Sequence, residues 1–128
     1  MDTSLIFTAD AHEEGAWIDI LDINMEKTPI RIHVVGKDSK RFQQIEDDAH
    51  RRYLESDRKD EVSVEERLAA MTNKWENVPD PTKGPEWVDM EFSKENAILF
   101  YQKAPVIREQ VNRAINNRAN FMKTSPQE

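Results

Sequence analysis

Trp17-Ile18-Asp19-Ile20-Leu21-Asp22-Ile23-Asn24-Met25 and Ile30-Arg31-Ile32-His33-Val34 are the two stretches whose reading decides the fold. In the first, apolar side chains stand at Ile18 and Ile20 and then at Leu21, Ile23 and Met25. The alternation slips by one near residue 20, which is the mark of a β-bulge. In the second, Ile30, Ile32 and Val34 alternate cleanly with Arg31 and His33, the period-two pattern of a half-buried strand. The pair predicts a β-hairpin over roughly 16–25 and 29–35, with Pro29 at a strand entrance where its missing N–H does no harm. The connection lacks Asn-Gly, so a turn longer than two residues is expected.

Beyond Gly36-Lys37 the period changes to that of a helix. Asp38 or Ser39 can cap its start, and Phe42, Ile45, Ala49 and Tyr53 fall on one side while Asp47, Asp48, Arg51, Arg52 and Glu55 face water. Ser56 to Glu61 is almost wholly charged and reads as a linker or frayed helix end. Ser63-Val64-Glu65-Glu66 has the form of a capping box, after which Val64, Leu68, Met71 and Trp75 form one helical stripe. Pro79, Pro81, Gly84 and Pro85 forbid regular helix and predict a long loop anchored by Trp87, Val88, Met90 and Phe92. Ser93 caps a short helix carrying Ala97 to Tyr101, and Pro105 opens a last helix with Ile107, Val111, Ala114, Ile115 and Arg118 at helical spacing, ending at Phe121-Met122. The expected fold is α+β, mostly α: an N-terminal β-hairpin packed on or beside a bundle of about four helices. It forms a single domain over 1–128, with a hairpin arm at 1–36, a helical part at 37–122 and a disordered tail at 123–128.

Composition narrows the function. The 128 residues carry a net charge of −7, which opposes non-specific attraction to nucleic acid and to anionic membranes, so neither is an expected partner. The charge is uneven: residues 1–36 carry net −5, 37–77 net −2, and 78–128 none. Without cysteine there is no disulfide, thiolate nucleophile or cysteine-ligated zinc. No apolar run approaches the roughly 20 residues of a membrane span, and the first ten residues lack the basic-then-apolar pattern of a signal peptide, which points to a reducing cytoplasm.

The chemistry-bearing residue types do not assemble into a catalytic motif. His12, His33 and His50 have no metal-ligand spacing and read as solvated side chains. Gly15, Gly36 and Gly84 are isolated, so no glycine-rich phosphate loop or nucleophile elbow exists. The carboxylate pairs Asp47-Asp48, Asp60-Glu61 and Glu65-Glu66 point apart on helices and read as solvated faces, and Arg51-Arg52 is flanked by acids that predict ion pairs. No enzyme activity, cofactor or metal is expected. Aromatic side chains crowd the C-terminal half around a segment that cannot form regular structure. Such crowding commonly marks core, and the functional alternative is a groove for an apolar helix or extended peptide. On that alternative Trp75, Trp87, Phe92, Tyr101 and Phe121 are the candidate partner-binding residues. A two-stranded ribbon is marginal alone and its edges invite pairing, so Ile18, Ile20, Ile30 and Ile32 are candidates for self-association.

A distributed pattern adds a resemblance. It comprises the Trp17-containing strand pair ending in Gly36-Lys37-Asp38-Ser39 with Phe42 following, and Met71 to Val78 read as a helix running into Lys74-Trp75-Glu76-Asn77-Val78. It continues through Phe92-Ser93-Lys94-Glu95-Asn96-Ala97, then Tyr101, Pro105, Ile107, Arg108, Gln110 and Val111, and closes with Ala114-Ile115 and Arg118-Ala119-Asn120-Phe121. Over about residues 15–122 the chain resembles the tail assembly chaperones of bacteriophages with long non-contractile tails. The resemblance implies a non-enzymatic protein of the infected bacterial cytoplasm, absent from the mature virion. Such a protein coats the tape measure protein, keeps it dissolved and helps recruit tail tube subunits. It also implies a homo-oligomer, and the shorter product of a gene that in many relatives yields a longer, frameshifted form. The Pro79 to Pro85 segment departs from the pattern. The competing readings are a permanent tail or head-completion component and a small carboxylate- or metal-dependent hydrolase.

Overall fold

The computed structural model describes residues 3–122, so the tail expected at 123–128 lies outside the described residues. A short 3-10 turn at Thr3–Leu5 leads into α1 (Ala9–Glu14), β1 (Ala16–Leu21) and β2 (Lys27–Val34). Then follow α2 (Lys40–Glu55), α3 (Val64–Met71), β3 (Thr72–Glu76), α4 (Lys94–Lys103), α5 (Pro105–Ile115) and a 3-10 turn at Arg118–Phe121. The fold is α+β, mostly helical, with the hairpin packed on the helices.

The hairpin forms where alternation predicts it, and the register shifts between Asp19 and Leu21, where the alternation slips. Its turn is wider than the sequence reading. The Asp22 carboxylate accepts the Asn24 N–H (2.8 Å) and the Glu26 N–H (3.1 Å), and the Asp22 N–H donates to the Glu26 carbonyl (2.9 Å). That local turn competes with strand pairing. It lifts Ile23 and Met25 off the sheet, and both side chains are exposed.

The largest correction is a third strand. The helix expected to carry Trp75 ends at Met71, and Thr72–Glu76 pairs antiparallel with β2, placing Trp75 opposite Ile32 and Glu76 opposite Arg31. The sheet order is β1-β2-β3, so the second strand of the hairpin is central. Leu68, Met71 and Trp75 fit a helical period, but Thr72 and Asn73 are weak helix formers. The Thr72 hydroxyl also donates back to the Leu68 carbonyl (2.7 Å), and the open edge of β2 offers the backbone a complete set of partners. α1 is a further element that the sequence reading did not contain.

The serine caps form as read. Ser39, Ser63 and Ser93 accept the N–H groups of Phe42, Glu66 and Asn96, each bond being of the kind that contributes about 1 kcal/mol. The reciprocal half of the Ser63 capping box is not made, because the Glu66 carboxylate turns to Arg52 (2.6 Å). Val64 is half-exposed, so the stripe that α3 buries is Leu68, Ala69 and Met71. The core lies between the inner face of the sheet (Ile20, Ile30, Ile32, Val34, Trp75) and α3, α4 and α5, through Leu68, Ala97, Phe100, Tyr101, Val111 and Ile115. The last helix stops at Ile115, and Phe121 reaches the core from the following turn.

Candidate partner-binding groove

The proline-rich segment is an ordered excursion closed at its base. The Met90 N–H donates to the Val78 carbonyl (2.8 Å) and the Asp80 N–H to the Val88 carbonyl (2.7 Å), around a Pro79–Asp89 bridge. At its tip the Asp80 carboxylate accepts the Thr82 N–H (2.8 Å) and hydroxyl (2.6 Å), which together hold its pKa below the usual carboxylate range. Gly84 turns the chain at φ 71, a left-handed conformation that glycine adopts without strain.

This loop stands against the junction of α4 and α5. Between them lies a groove of about 320 Å³, walled by Pro79, Pro81, Pro85 and Trp87 on one side and by Phe100, Ala104 and Ile107 on the other. Trp87 is 50 % exposed, its ring steered by an Nε1–H bond to Asp89 (3.0 Å), and Val88 and Val106 are also exposed. Asp80, Glu86 and Lys103 line the same groove. An apolar concavity with a rigid aromatic at its lip can seat apolar side chains of a partner at small entropic cost.

The other sequence candidates for partner binding are placed differently. Trp75 is buried, with its Nε1–H donating to the Met90 carbonyl (2.8 Å) and its ring edge-on to Phe92 (5.1 Å) and Phe100 (5.6 Å). Tyr101 is fully buried. Its hydroxyl lies 2.8 Å from that of Thr72, whose one proton is committed to Leu68, so Tyr101 is the donor, and burial pushes its pKa well above the ordinary tyrosine value. Phe121 is buried against His12, and Phe92 is half-buried on Trp75. The expectation that these rings form a gripping surface is therefore corrected. They are core or its margin, and Trp87 alone of the five presents half its surface. Phe100, which the sequence places in the aromatic cluster, Ile107, which it offers as a helix residue, and Ala104 between the two helices complete the groove.

The self-association candidates are corrected in the same way. Ile20, Ile30 and Ile32 are buried and Ile18 is half-buried against the core, because the inner face of the sheet is covered by the helices. At the outer edge of β1 the Gln110 amide accepts the Leu21 N–H (2.9 Å) and donates to the Leu21 carbonyl (2.6 Å), standing in for a neighbouring strand. On the outer face the Trp17 ring is flanked by the Arg31 guanidinium (4.6 Å) and the Lys74 ammonium (5.5 Å).

The larger cleft, about 500 Å³, opens between α2 and α3 and is lined by Glu46, His50, Tyr53, Glu61 and Arg67. Its arginine is already paired with Glu46 (3.0 Å). Among the described residues no group of histidines and carboxylates is placed to hold a metal, and no helix is long and apolar enough to cross a membrane.

The histidines depart from the expectation of solvated rings. His50 is exposed, but His33 is half-buried beside Asn73 (3.0 Å) and edge-on to Trp17, and its pKa is lowered by burial and by Lys74 and Arg41. His12 is fully buried where α1 meets the start of α2. Beside it Arg118 grips Asp38 through Nε (2.6 Å) and Nη2 (2.9 Å), and the Thr8 hydroxyl donates to the same carboxylate. These bonds hold the Asp38 pKa at about 2, against the burial that would raise it. Asp38 therefore stabilises the fold fully above about pH 4, and this contribution is lost as pH falls toward 2. Asp38→Asn is expected to flatten the dependence of denaturation midpoint on pH between 4 and 2; an unchanged slope would remove Asp38 as its source.

Comparison with protein-family models, with curated proteins and with solved structures finds no match to this chain.

Proposed function

We propose that this chain is a non-enzymatic binding protein that acts as a bacteriophage tail assembly chaperone. Its client is the tape measure protein, whose apolar helical segments seat in the groove between the proline-rich loop and the α4–α5 junction. The observation that carries the binding reading is the half-exposed Trp87 at the lip of an apolar groove whose floor is already rigid core. The assignment to tail assembly rests on the sequence resemblance. In this reading the chain works in the cytoplasm of the host, self-associates along the client so that weak contacts multiply, helps bring tail tube subunits to it and is absent from the finished particle. The net charge of −7 keeps such a complex dispersed.

Co-expression with the tape measure protein tests this. The native chain is expected to raise the soluble yield of the client several-fold, and Trp87→Glu to abolish the gain while its unfolding free energy stays within about 0.5 kcal/mol of native, as for surface changes in general. No gain with the native chain, or an undiminished gain with the folded variant, would overturn it. Mass spectrometry of purified particles separates the structural alternative, in which the chain is present at fixed copy number.

A further inference from the structure

The knot around His12 has no part in the groove. Its ring is enclosed on every side: it lies tilted against Phe121 (centroids 4.7 Å, planes 37° apart), Gly36 leaves no room for a Cβ beside it, and Nδ1 accepts the Asp38 N–H (2.9 Å). The His12 carbonyl accepts the Gly36 N–H (3.0 Å), and the neighbouring Glu13 carboxylate accepts the N–H groups of Lys40 (2.7 Å) and Arg41 (3.3 Å). His12 and Glu13 together thus tie α1 to the 36–39 turn, the start of α2 and the 118–121 turn.

The proton inventory of this knot is one-sided. Because Nδ1 is an acceptor, the single proton of the neutral ring sits on Nε2, which is buried, has no hydrogen-bond partner and lies 3.7 Å from the nearer Asp38 oxygen. A second proton can only go to Nδ1, where it points directly at the Asp38 N–H. The charged ring therefore cannot keep the bond that fastens it.

We propose that His12 is an acid-sensitive latch: neutral, it clamps the N-terminal segment and the 118–121 turn onto the 36–39 turn, and protonated, it lets both go. The charged groups facing it are Asp38 and Lys37 from the turn and Arg118 from the C-terminal side, with Glu13 beside it on α1 engaged by the α2 N–H groups. Asp38 favours the charged ring, Arg118 and Lys37 oppose it, and burial, the largest influence, sets the direction: the pKa lies below the ordinary 6.5. The latch is thus closed above about pH 6.5 and is progressively loosened as pH falls below it, while Asp38 remains ionised throughout. Opening frees Leu5, Ile6 and Phe7, all already exposed, from their tether and uncovers Phe121.

Amide hydrogen exchange on the full chain at pH 7 and pH 5, corrected for intrinsic rates, tests the latch. Protection at the Gly36 and Asp38 amides is expected to fall about three- to tenfold at pH 5, while β2 and α4 keep theirs. His33→Asn should leave this local loss intact. His12→Asn, which retains an acceptor and cannot be protonated, should make protection at these two amides equal at the two pH values, whatever its overall stability. Retained protection in the native chain at pH 5, with NMR showing His12 protonated, would overturn the latch, as would a loss spread uniformly over the core. If His12→Asn does not fold, titration of the native His12 ring decides: loss of protection must follow its midpoint.

Discussion

Trp75→Ala is expected to cost about 3–5 kcal/mol, a substantial fraction of the roughly 5–15 kcal/mol that holds a domain folded. The ring sits opposite Ile32 on the inner face of the sheet and touches Phe92 and Phe100 edge-on, so truncation opens a cavity that three separate elements would have to close. It also strands the Met90 carbonyl, whose Nε1–H partner is lost. Urea denaturation followed by far-ultraviolet circular dichroism reads the loss. The same measurement on Trp87→Ala should change the unfolding free energy by no more than about 0.5 kcal/mol. A cost below 1 kcal/mol at Trp75 would mean that its ring is not part of the core.

The contrast between these two tryptophans marks how far the sequence is informative. Local signals were legible wherever one residue decides one backbone bond: the serine caps at 39, 63 and 93, the proline that opens α5, and the bulge announced by the slip between Ile20 and Leu21. What was not legible depends on partners far along the chain. Trp75 satisfies a helical stripe with Leu68 and Met71, and nothing local reveals that β2 has a free edge to which Thr72–Glu76 is drawn. The same holds for the groove: exposure of Trp87 and burial of Tyr101 follow from which side of the proline-rich loop meets α4, a tertiary fact that aromatic content does not encode. His12, followed by Glu13 and Glu14, reads as solvated because the groups that enclose its ring belong to residues 36, 38 and 121, all more than twenty positions away.

The burial of Ile20, Ile30 and Ile32 changes what self-association would use. Their side chains are spent on the helices, and the end of the β1 edge is occupied by the Gln110 amide, a side-chain imitation of a neighbouring strand. Among the described residues the large apolar side chains left exposed are Ile23 and Met25 on the hairpin turn, Leu5 to Phe7 at the N-terminal end, Leu54 and Val64 at the facing ends of α2 and α3, and Trp87, Val88 and Val106 around the groove. A chaperone reading therefore places the contacts with other chains on loops and on the N-terminal segment, where exposure carries no penalty to the core, and leaves the sheet as a rigid support.

Gly36→Ala is expected to destabilise the chain by about 2–3 kcal/mol, and it tests the same knot by steric rather than ionic means. The glycine has no left-handed φ to preserve; its requirement is space, since the three atoms nearest a Cβ all belong to the His12 ring, Cγ at 2.6 Å among them. A flexible side chain would step aside, but this ring is held by Phe121, by the Asp38 N–H and by the helix that carries it. The added methyl must therefore push α1 off the 36–39 turn, which is also the proposed consequence of acid. The variant should accordingly show at pH 7 the weakened Asp38 amide protection that the native chain shows at pH 5, and little further change on acidification. Gly84→Ala provides the opposite case, with open space around the new carbon but a φ of 71, so its cost should be about 1 kcal/mol and should leave the His12 region untouched. If Gly36→Ala were as mild as a surface change, the His12 ring would have room to move, and protonation would have no reason to dislodge it.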